Sequence, residues 1–294
     1  MKVMRNILYR TLLSVAVVAF PLSVASAQPV HGADSDRDIS RLERTGTHFY
    51  EGITEMLSWH DIPFGALHFA NHYSYFDNPD DKPFQFQALD FERDLAGTVG
   101  VPGSRSIGNI HPEDIANIVL LSRTAYTIGE DMLTEKGSSK KSYKHAFGLY
   151  KAMAYTEVST QVMKNIVNRS RPDASDTKSF FSGHTSLSFA MCSFMQREVD
   201  DLLVHWDVLA DEDWRRVARI GGFALFYGWA SYVGYSRMRD NKHYFSDVLI
   251  GALIGTLFGN FVYDTYLADD DSILKNIGVG SNQGAPSVNI SLGL

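Results

Sequence analysis

The sequence has little to hold a fold together covalently, since Cys192 is its one cysteine and no disulfide can form within the chain. Stability must therefore come from packing, and 45% hydrophobic residues among 294 are enough for one large core. Cys192 lies in an apolar run, where we expect a small buried side chain. The glycine-rich residues 97–108 lack both a Gly-Lys-Ser/Thr ending and dinucleotide-binding spacing, which argues against a nucleotide cradle.

Basic residues are also in deficit, with 27 Lys and Arg against 34 Asp and Glu. Residues 1–27 combine a basic start, a short apolar run and an Ala-Ser-Ala end, which predicts a signal peptide and a periplasmic or secreted protein. An uncleaved membrane anchor is the alternative, although the run is shorter than the ~18 apolar residues that span a bilayer. Cleavage after Ala27 would remove three cations and no acid, which lowers the net charge from −7 to −10. So acidic a protein is not expected to bind nucleic acid.

The rest of the chain is predicted to be one all-α domain with tails. Residues 28–44 are polar without an apolar period, which indicates a flexible lead-in, and residues 45–267 form the helical domain. Residues 268–294 indicate a linker and a strand-like tail, because residues 288–294 alternate apolar and polar side chains. Helices are expected at about residues 112–132, 143–168, 217–235 and 248–262. The last two are the most apolar and are predicted to be central in a soluble bundle, with a chain that spans the membrane several times as the alternative.

The first candidate site motif contains Lys164 and Arg171, which are seven residues apart. On a helix this separation is two turns, or about 10 Å, with both side chains near one face. Pro172 is expected to end that helix, because proline disfavours helical geometry in the residue before it. Two long cations that reach one point could clamp a phosphate. A solvated basic face is the alternative interpretation.

The second motif is Ser182-Gly183-His184, which stands directly before an apolar run and is predicted to begin a helix. Free backbone N–H groups at a helix N-terminus bind anions, and the Ser182 hydroxyl would add a donor. His184 would supply an acid–base group beside the anion. A serine cap followed by a structural histidine is the alternative.

The third motif contains His243 and Asp247, four residues apart. If both lie on a helix, the carboxylate accepts a hydrogen bond from one imidazole nitrogen and leaves the other nitrogen nucleophilic. Arg237 lies six residues before His243 and is expected to reach the same anion. A surface His–Asp pair is the alternative.

The order and spacing of these motifs, Lys-x6-Arg-Pro, Ser-Gly-His and Ser-Arg-x5-His-x3-Asp, resemble the type 2 phosphatidic acid phosphatase (PAP2) superfamily. That superfamily includes class A acid phosphatases and vanadium haloperoxidases. The motifs cover residues 164–247, and the helical pattern over about residues 110–265 is compatible with the helical bundle of the family. One departure is Phe181, which stands where the family usually has proline. It changes the rigidity of the loop but removes no chemical group.

The resemblance implies a metal-independent phosphatase that hydrolyses phosphate monoesters, with lipid phosphates and diphosphates as further substrates, and the predicted signal peptide implies that it is exported. His243 would attack phosphorus, Asp247 would orient His243, and His184 would protonate the leaving alcohol and then help water attack the phosphohistidine. No cofactor is implied, because the cations would take the place of a metal ion. The groups that would hold the phosphate oxygens are Lys164, Arg171, Ser182, Gly183 and Arg237.

Two other functions are left open by the sequence. A vanadate-dependent haloperoxidase could use the same site, with vanadate in place of phosphate. A non-catalytic envelope protein could use it to bind phosphate. The sequence assigns neither the alcohol of the substrate nor an oligomeric state, and it leaves peripheral membrane contact open.

Overall fold

The computed structural model describes residues 33–73, 79–107, 110–135, 137–205, 211–268, 277–282 and 285–290. Within these residues helices dominate, so the prediction of an all-α fold is confirmed. The predicted signal peptide at residues 1–27 lies outside the described residues. The helices are α1 (Ala33–Thr54), α2 (Asp61–Tyr73), α3 (Asp90–Val99), α4 (Pro112–Leu133), α5 (Lys140–Ile166), α6 (Gly183–His205), α7 (Glu212–Arg239) and α8 (Phe245–Tyr266).

Two short pairings account for the strands in the described residues. β1 (Phe84–Gln85) runs parallel to β2 (Val167–Asn168), which directly follows α5. β3 (Ile277–Asn282) and β4 (Ala285–Ile290) run antiparallel, with Ile277 opposite Ile290. The sequence predicts only one extended segment near the end, over residues 288–294. β3 was missed because its Gly, Ser and Asn residues have the composition of a linker, and strand pairing supplies the order that composition does not indicate.

The beginning of α1 differs from the predicted flexible lead-in over residues 28–44, since this helix already starts at Ala33. The Arg44 guanidinium donates to the main-chain carbonyls of Asp131, Thr134 (3.0 Å) and Glu135 (3.0 Å) at the end of α4. The last carbonyls of a helix have no partner within it, so a cation stabilises them. Because these contacts are hydrogen bonds to main-chain carbonyls of a distant segment, no local residue pattern predicts them.

The core is formed where α5, α6 and α8 pack together, and the predicted burial of Cys192 is confirmed. Side chains from all three helices are almost completely buried in this cluster. The burial of apolar surface is the largest source of stability in such a bundle. They include Leu149, Ala152, Leu187, Ala190, Phe194, Val262 and Tyr263.

The contact between α6 and α8 is close because α8 presents glycines along one face. A Cβ atom at Gly255 would lie 2.0 Å from the carbonyl oxygen of Ser186, which no real Cβ contact tolerates. The two backbones therefore touch, and their first turns come together as well, since the N–H of Ser182 donates to the Asp247 carbonyl at 3.1 Å. The glycines repeat every four residues, at Gly251, Gly255 and Gly259.

Among the described residues, the other faces of α7 and α8 carry exposed apolar side chains, which differs from the prediction of central helices. Along α8 the side chains of Leu249, Leu253 and Leu257 are between 46% and 59% exposed. Among the described helices, α8 is the one long and apolar enough to cross a membrane. The core helix of a soluble protein can be equally long and apolar, but it is mostly buried. In α8, only 28% of the most apolar 18-residue stretch is buried.

Candidate active site

The first turn of α6 lies directly beneath a lysine from α5. A Cβ atom placed on Gly183 would be 3.0 Å from Lys164 Nζ, so glycine is what allows the ammonium group to approach the backbone here. Ser182 Oγ lies 2.8 Å from Thr185 Oγ1 and accepts from the Thr185 N–H at 3.4 Å. Ser182 thus acts as the cap of α6, and Lys164 brings a positive charge to a helix end that already favours anions.

His243 is buried in the turn before α8, and a main-chain group orients it. Its Nδ1 donates to the carbonyl oxygen of Ser179 at 2.7 Å, which assigns the proton to Nδ1 and leaves the lone pair on Nε2. The predicted direct hydrogen bond to Asp247 is not formed, because Nδ1 and Asp247 Oδ2 are 3.9 Å apart. The prediction was wrong because His243 precedes the helix, so four-residue spacing does not stack the two side chains.

Asp247 instead supports the structure around His243. Its Oδ2 accepts from the N–H of Tyr244 at 2.8 Å, which caps the first turn of α8, and from the hydroxyl of Ser179 at 2.5 Å. Its Oδ1 lies 3.2 Å from Arg169 Nε. The carboxylate therefore fixes the residue whose carbonyl oxygen orients His243.

His184 follows Gly183 in the first turn of α6, and its Nε2 is buried without a hydrogen-bond partner among the described residues. The ring of His111, at the start of α4, lies beside it with a centroid separation of 4.9 Å. Burial, followed by the charge of Arg237, lowers the pKa of His184 to about 3. A group with these properties is neutral until an anion arrives to offset the surrounding positive charge.

The three predicted cations come from three separate segments and act on both histidines. Burial lowers the pKa of His243 well below its ordinary value, and the next largest causes are the charges of Arg171, Lys164 and Arg237. The same three cations lower the pKa of His184. The effect of a charge on a neighbouring pKa falls with distance, so the three cations and both histidines lie together in one site.

Acidic side chains hold two of the cations in place. Arg171 Nε donates to Asp176 Oδ1 at 2.6 Å. Arg237 is buried, with its Nη1 3.4 Å from Asp240 Oδ2. Asp240 in turn accepts from the hydroxyl of Ser106 at 3.0 Å, which ties the loop before α4 to the site.

The residue at the unusual position, Phe181, is buried next to the site. Its ring meets that of Phe180 nearly edge-on, with centroids 6.0 Å apart, and the peptide bond between the two residues is cis. Phe181 therefore fills apolar space behind the loop and presents no polar group to an anion.

Several residues that build the site were not predicted from the sequence. Arg169 lies inside the first motif, between Lys164 and Arg171, and this position was a usable signal. His111 stands directly before the helix predicted at about residues 112–132, and this position indicates a helix start and not a site residue. Ser179, Asp240 and Glu92 carry no sequence signal, because their roles depend on contacts between distant segments. Within the described residues, no group of three or more His, Cys, Asp or Glu side chains could hold a metal ion.

The comparison with family models falls on the same part of the chain. Residues 146–270, which contain every predicted site residue, match the family model described as PAP2 superfamily. Residues 146–270 form a PAP2 superfamily domain. The resemblance drawn from the three motifs is thereby confirmed.

Relatives of the chain include proteins named as lipid phosphatases. The chain is similar to lipid A 1-phosphatase of Porphyromonas gingivalis, with 33% identity over 128 residues, which are 44% of this chain and 25% of the relative. Phospholipid phosphatase 2 of Rattus norvegicus is 39% identical over 79 residues, 27% of this chain and 26% of that protein. Lipid phosphate phosphatase 1 of Arabidopsis thaliana is 40% identical over 86 residues, 29% of this chain and 25% of that protein.

The chain thus spans about a quarter of the length of the curated relatives it matches. No solved structure matches it significantly.

The lowered pKa values predict a loss of stability in acid. In the unfolded chain both site histidines take up a proton near pH 6.5, whereas the folded PAP2 domain keeps His184 neutral down to a pKa of about 3. Between these values the unfolded state binds more protons, so stability falls as the pH falls, by at most about 1.4 kcal/mol per pH unit for each histidine.

We therefore expect the thermal midpoint to drop less steeply between pH 6.5 and 4 in His184→Gln than in the unchanged protein. Midpoints measured in phosphate-free buffers over this range test it. His68 is exposed, so His68→Gln is the matched control. Its thermal midpoint should change with pH as steeply as that of the unchanged protein. Equal slopes for His184→Gln and the unchanged protein would contradict the assignment of a buried neutral imidazole.

Proposed function

We propose that the PAP2 domain is a metal-independent phosphatase that hydrolyses phosphate monoesters through a phosphohistidine on His243. The observation that carries the proposal is the hydrogen bond from His243 Nδ1 to the Ser179 carbonyl. It leaves Nε2 with a lone pair among three cations. A fixed neutral imidazole is a nucleophile, and the positive charge around it attracts a phosphate and offsets the charge of the transition state.

The reaction would proceed in two steps. His243 Nε2 attacks phosphorus, the bond to the ester oxygen breaks, and His184 gives its proton to the departing alcohol. Water then attacks the phosphohistidine, His184 takes a proton from it, and His243 and inorganic phosphate are released. His184 can act as the acid because a bound phosphate offsets the cations that lower its pKa in the free protein.

Each binding residue has a role in this scheme. Lys164, above Gly183, would bind a phosphate oxygen as a point charge, and Arg171 and Arg237 would bind oxygens with their planar guanidinium groups. Ser182 would offer its hydroxyl while it caps α6. Together these cations would do what a magnesium ion does in other phosphoryl-transfer sites.

A phosphorylated lipid is the substrate class that we favour. The named relatives act on lipid A, phospholipids and lipid phosphates according to their names. An apolar groove of about 410 Å³ follows α8 and includes Leu249, two residues beyond Asp247. An acyl chain could lie in that groove while its phosphate occupies the site, and the exposed leucines of α8 would then contact the membrane. Export to the periplasm rests on the sequence pattern of residues 1–27.

Phosphate release without added metal tests the proposal. We expect release in EDTA from p-nitrophenyl phosphate and faster release from phosphatidic acid in detergent micelles, with a prenyl diphosphate as the third substrate. Faster release from p-nitrophenyl phosphate than from both lipids would contradict the lipid preference. Halide oxidation that needs added vanadate, without phosphate release, would favour a haloperoxidase. Tight phosphate binding without either activity would favour a binding protein.

A further inference from the structure

A buried carboxylate outside the three motifs connects the site to α3. Glu92, in the first turn of α3, has both carboxylate oxygens in use. Oε1 accepts from the N–H of Ser246 at 3.0 Å, and Oε2 accepts from the N–H of Leu89 at 2.9 Å and from Arg169 Nη2 at 2.8 Å. The Ser246 N–H is one of the groups that a helix N-terminus leaves without a partner. One carboxylate therefore ties together the first turns of α3 and α8.

Arg169 extends this connection to the two groups that surround His243. Its Nε lies 3.2 Å from Asp247 Oδ1, and its Nη2 also donates to the hydroxyl of Ser246 at 3.1 Å. Its main-chain carbonyl accepts from the N–H of Ser179 at 3.1 Å. Ser179 and Asp247 are thus both held by Arg169, one through the backbone and one through the side chain.

The arrangement is more specific than a buried ion pair that merely stabilises the fold. Buried ion pairs are weak evidence for stability, because desolvation offsets most of their attraction. Here, however, one guanidinium serves two buried carboxylates, and its contacts lie around the proposed nucleophile. The ring of Tyr244, next to His243 in the chain, covers the guanidinium at 5.1 Å.

We propose that Glu92 and Arg169 are positioning residues for His243. This proposal rests on the proposed function, in which His243 is the nucleophile. Glu92 fixes the Arg169 guanidinium, and Arg169 fixes Asp247 and the Ser179 carbonyl. Neither residue is expected to touch the substrate. When Nε2 takes up the phosphoryl group the imidazole becomes cationic, and a fixed Asp247 at 3.9 Å offsets that charge. Loss of either positioning residue should therefore slow chemistry without weakening phosphate binding.

The test compares Glu92→Gln, Arg169→Lys and Arg169→Met with the unchanged protein in p-nitrophenyl phosphate hydrolysis. We expect kcat to fall by about 10- to 100-fold in Glu92→Gln and Arg169→Met, and by less in Arg169→Lys, which keeps the charge. KM and the inhibition constant of inorganic phosphate should stay within about twofold. The matched control is Arg197→Met, which breaks an ion pair with Asp264 and should leave kcat unchanged. Arg197 lies about 21 Å from Gly183 along α6, far from the site.

A double-mutant cycle decides whether the pair acts through Asp247. If it does, adding Arg169→Met to Asp247→Asn should lower kcat by less than about threefold, because the function of the arginine is already lost. Fully additive losses would overturn the proposal, as would an unchanged kcat in folded Glu92→Gln and Arg169→Lys.

A second readout needs no turnover and separates this inference from the proposed function. In protein labelled with ¹⁵N-histidine, the Nδ1 proton of His243, assigned by its absence in His243→Gln, should exchange slowly with water because it is buried and bonded to Ser179. Arg169→Met should speed that exchange at least about tenfold. Absence of phosphate release from the unchanged protein would refute the proposed function alone, whereas an unchanged exchange rate would refute the positioning role.

Discussion

Replacement of His243 by alanine is expected to lower phosphate release by about 10⁴-fold or more while the helical fold remains. The reason is that the proposed covalent intermediate forms on His243, whereas the cations and His184 would still bind phosphate. The inhibition constant of inorganic phosphate should therefore change far less than kcat. Circular dichroism and the thermal midpoint report on the fold.

Trapping the intermediate gives the sharper measurement. Rapid quenching with ³²P-labelled substrate should label the unchanged protein with a phosphate that is stable in alkali and labile in acid, as a phosphohistidine is. His243→Ala should carry no such label. The matched control is His145→Ala, which removes a half-buried histidine that is hydrogen-bonded to Glu198. His145 lies about 28 Å from Lys164 along α5. Normal turnover by folded His243→Ala would exclude His243 as the nucleophile.

The residue types of the site were predictable because their chemistry is visible in the sequence. Lys164, Ser182-Gly183-His184 and His243 belong to segments far apart in the chain, but a tetrahedral anion requires cations, a helix start and acid–base groups together. The hydrogen-bond partners that orient each site side chain could not be predicted from the sequence. The acceptor for His243 Nδ1 is a backbone carbonyl, and no side-chain pattern encodes that choice.

The positioning residues show the same limit at longer range. Glu92 is separated by 77 residues from Arg169 and by 154 from Ser246, and nothing local marks it as more than a helix-start acid. Only the packing of α3 against the first turn of α8 brings these groups together. Likewise the beginning of α1 depends on contacts between Arg44 and the end of α4, which an analysis of apolar periodicity cannot detect.

The position of α8 has a signal in the sequence. Its glycines recur every four residues within an apolar segment, a spacing that lets two helix backbones approach closely. Without that spacing, the apolar and glycine-rich composition of the segment predicts only a central helix. The structure shows that the glycines decide the packing instead, since they seat α8 on the small residues of α6.

Gly255→Ala is therefore expected to destabilise the domain by about 3 kcal/mol, the largest effect on stability that we predict for a single methyl group. The added Cβ would lie 2.0 Å from the Ser186 carbonyl and 2.9 Å from the Ala190 nitrogen, and both are backbone atoms that cannot turn aside. The helices must move apart, which would also strain the hydrogen bond from Ser182 to the Asp247 carbonyl. Chemical denaturation measures the loss, and kcat of the folded fraction should fall with it.

The matched control is the same substitution where glycine has no neighbour. At Gly228 in α7, a Cβ would meet nothing within 4 Å. Alanine is favoured over glycine inside a helix, so Gly228→Ala should stabilise the protein by about 0.5–1 kcal/mol. The two substitutions thus differ in sign although their chemistry is identical. Equal stability of Gly255→Ala and the unchanged protein would mean that α6 and α8 are not in backbone contact, and the alignment of Ser182 with Asp247 would then need another cause.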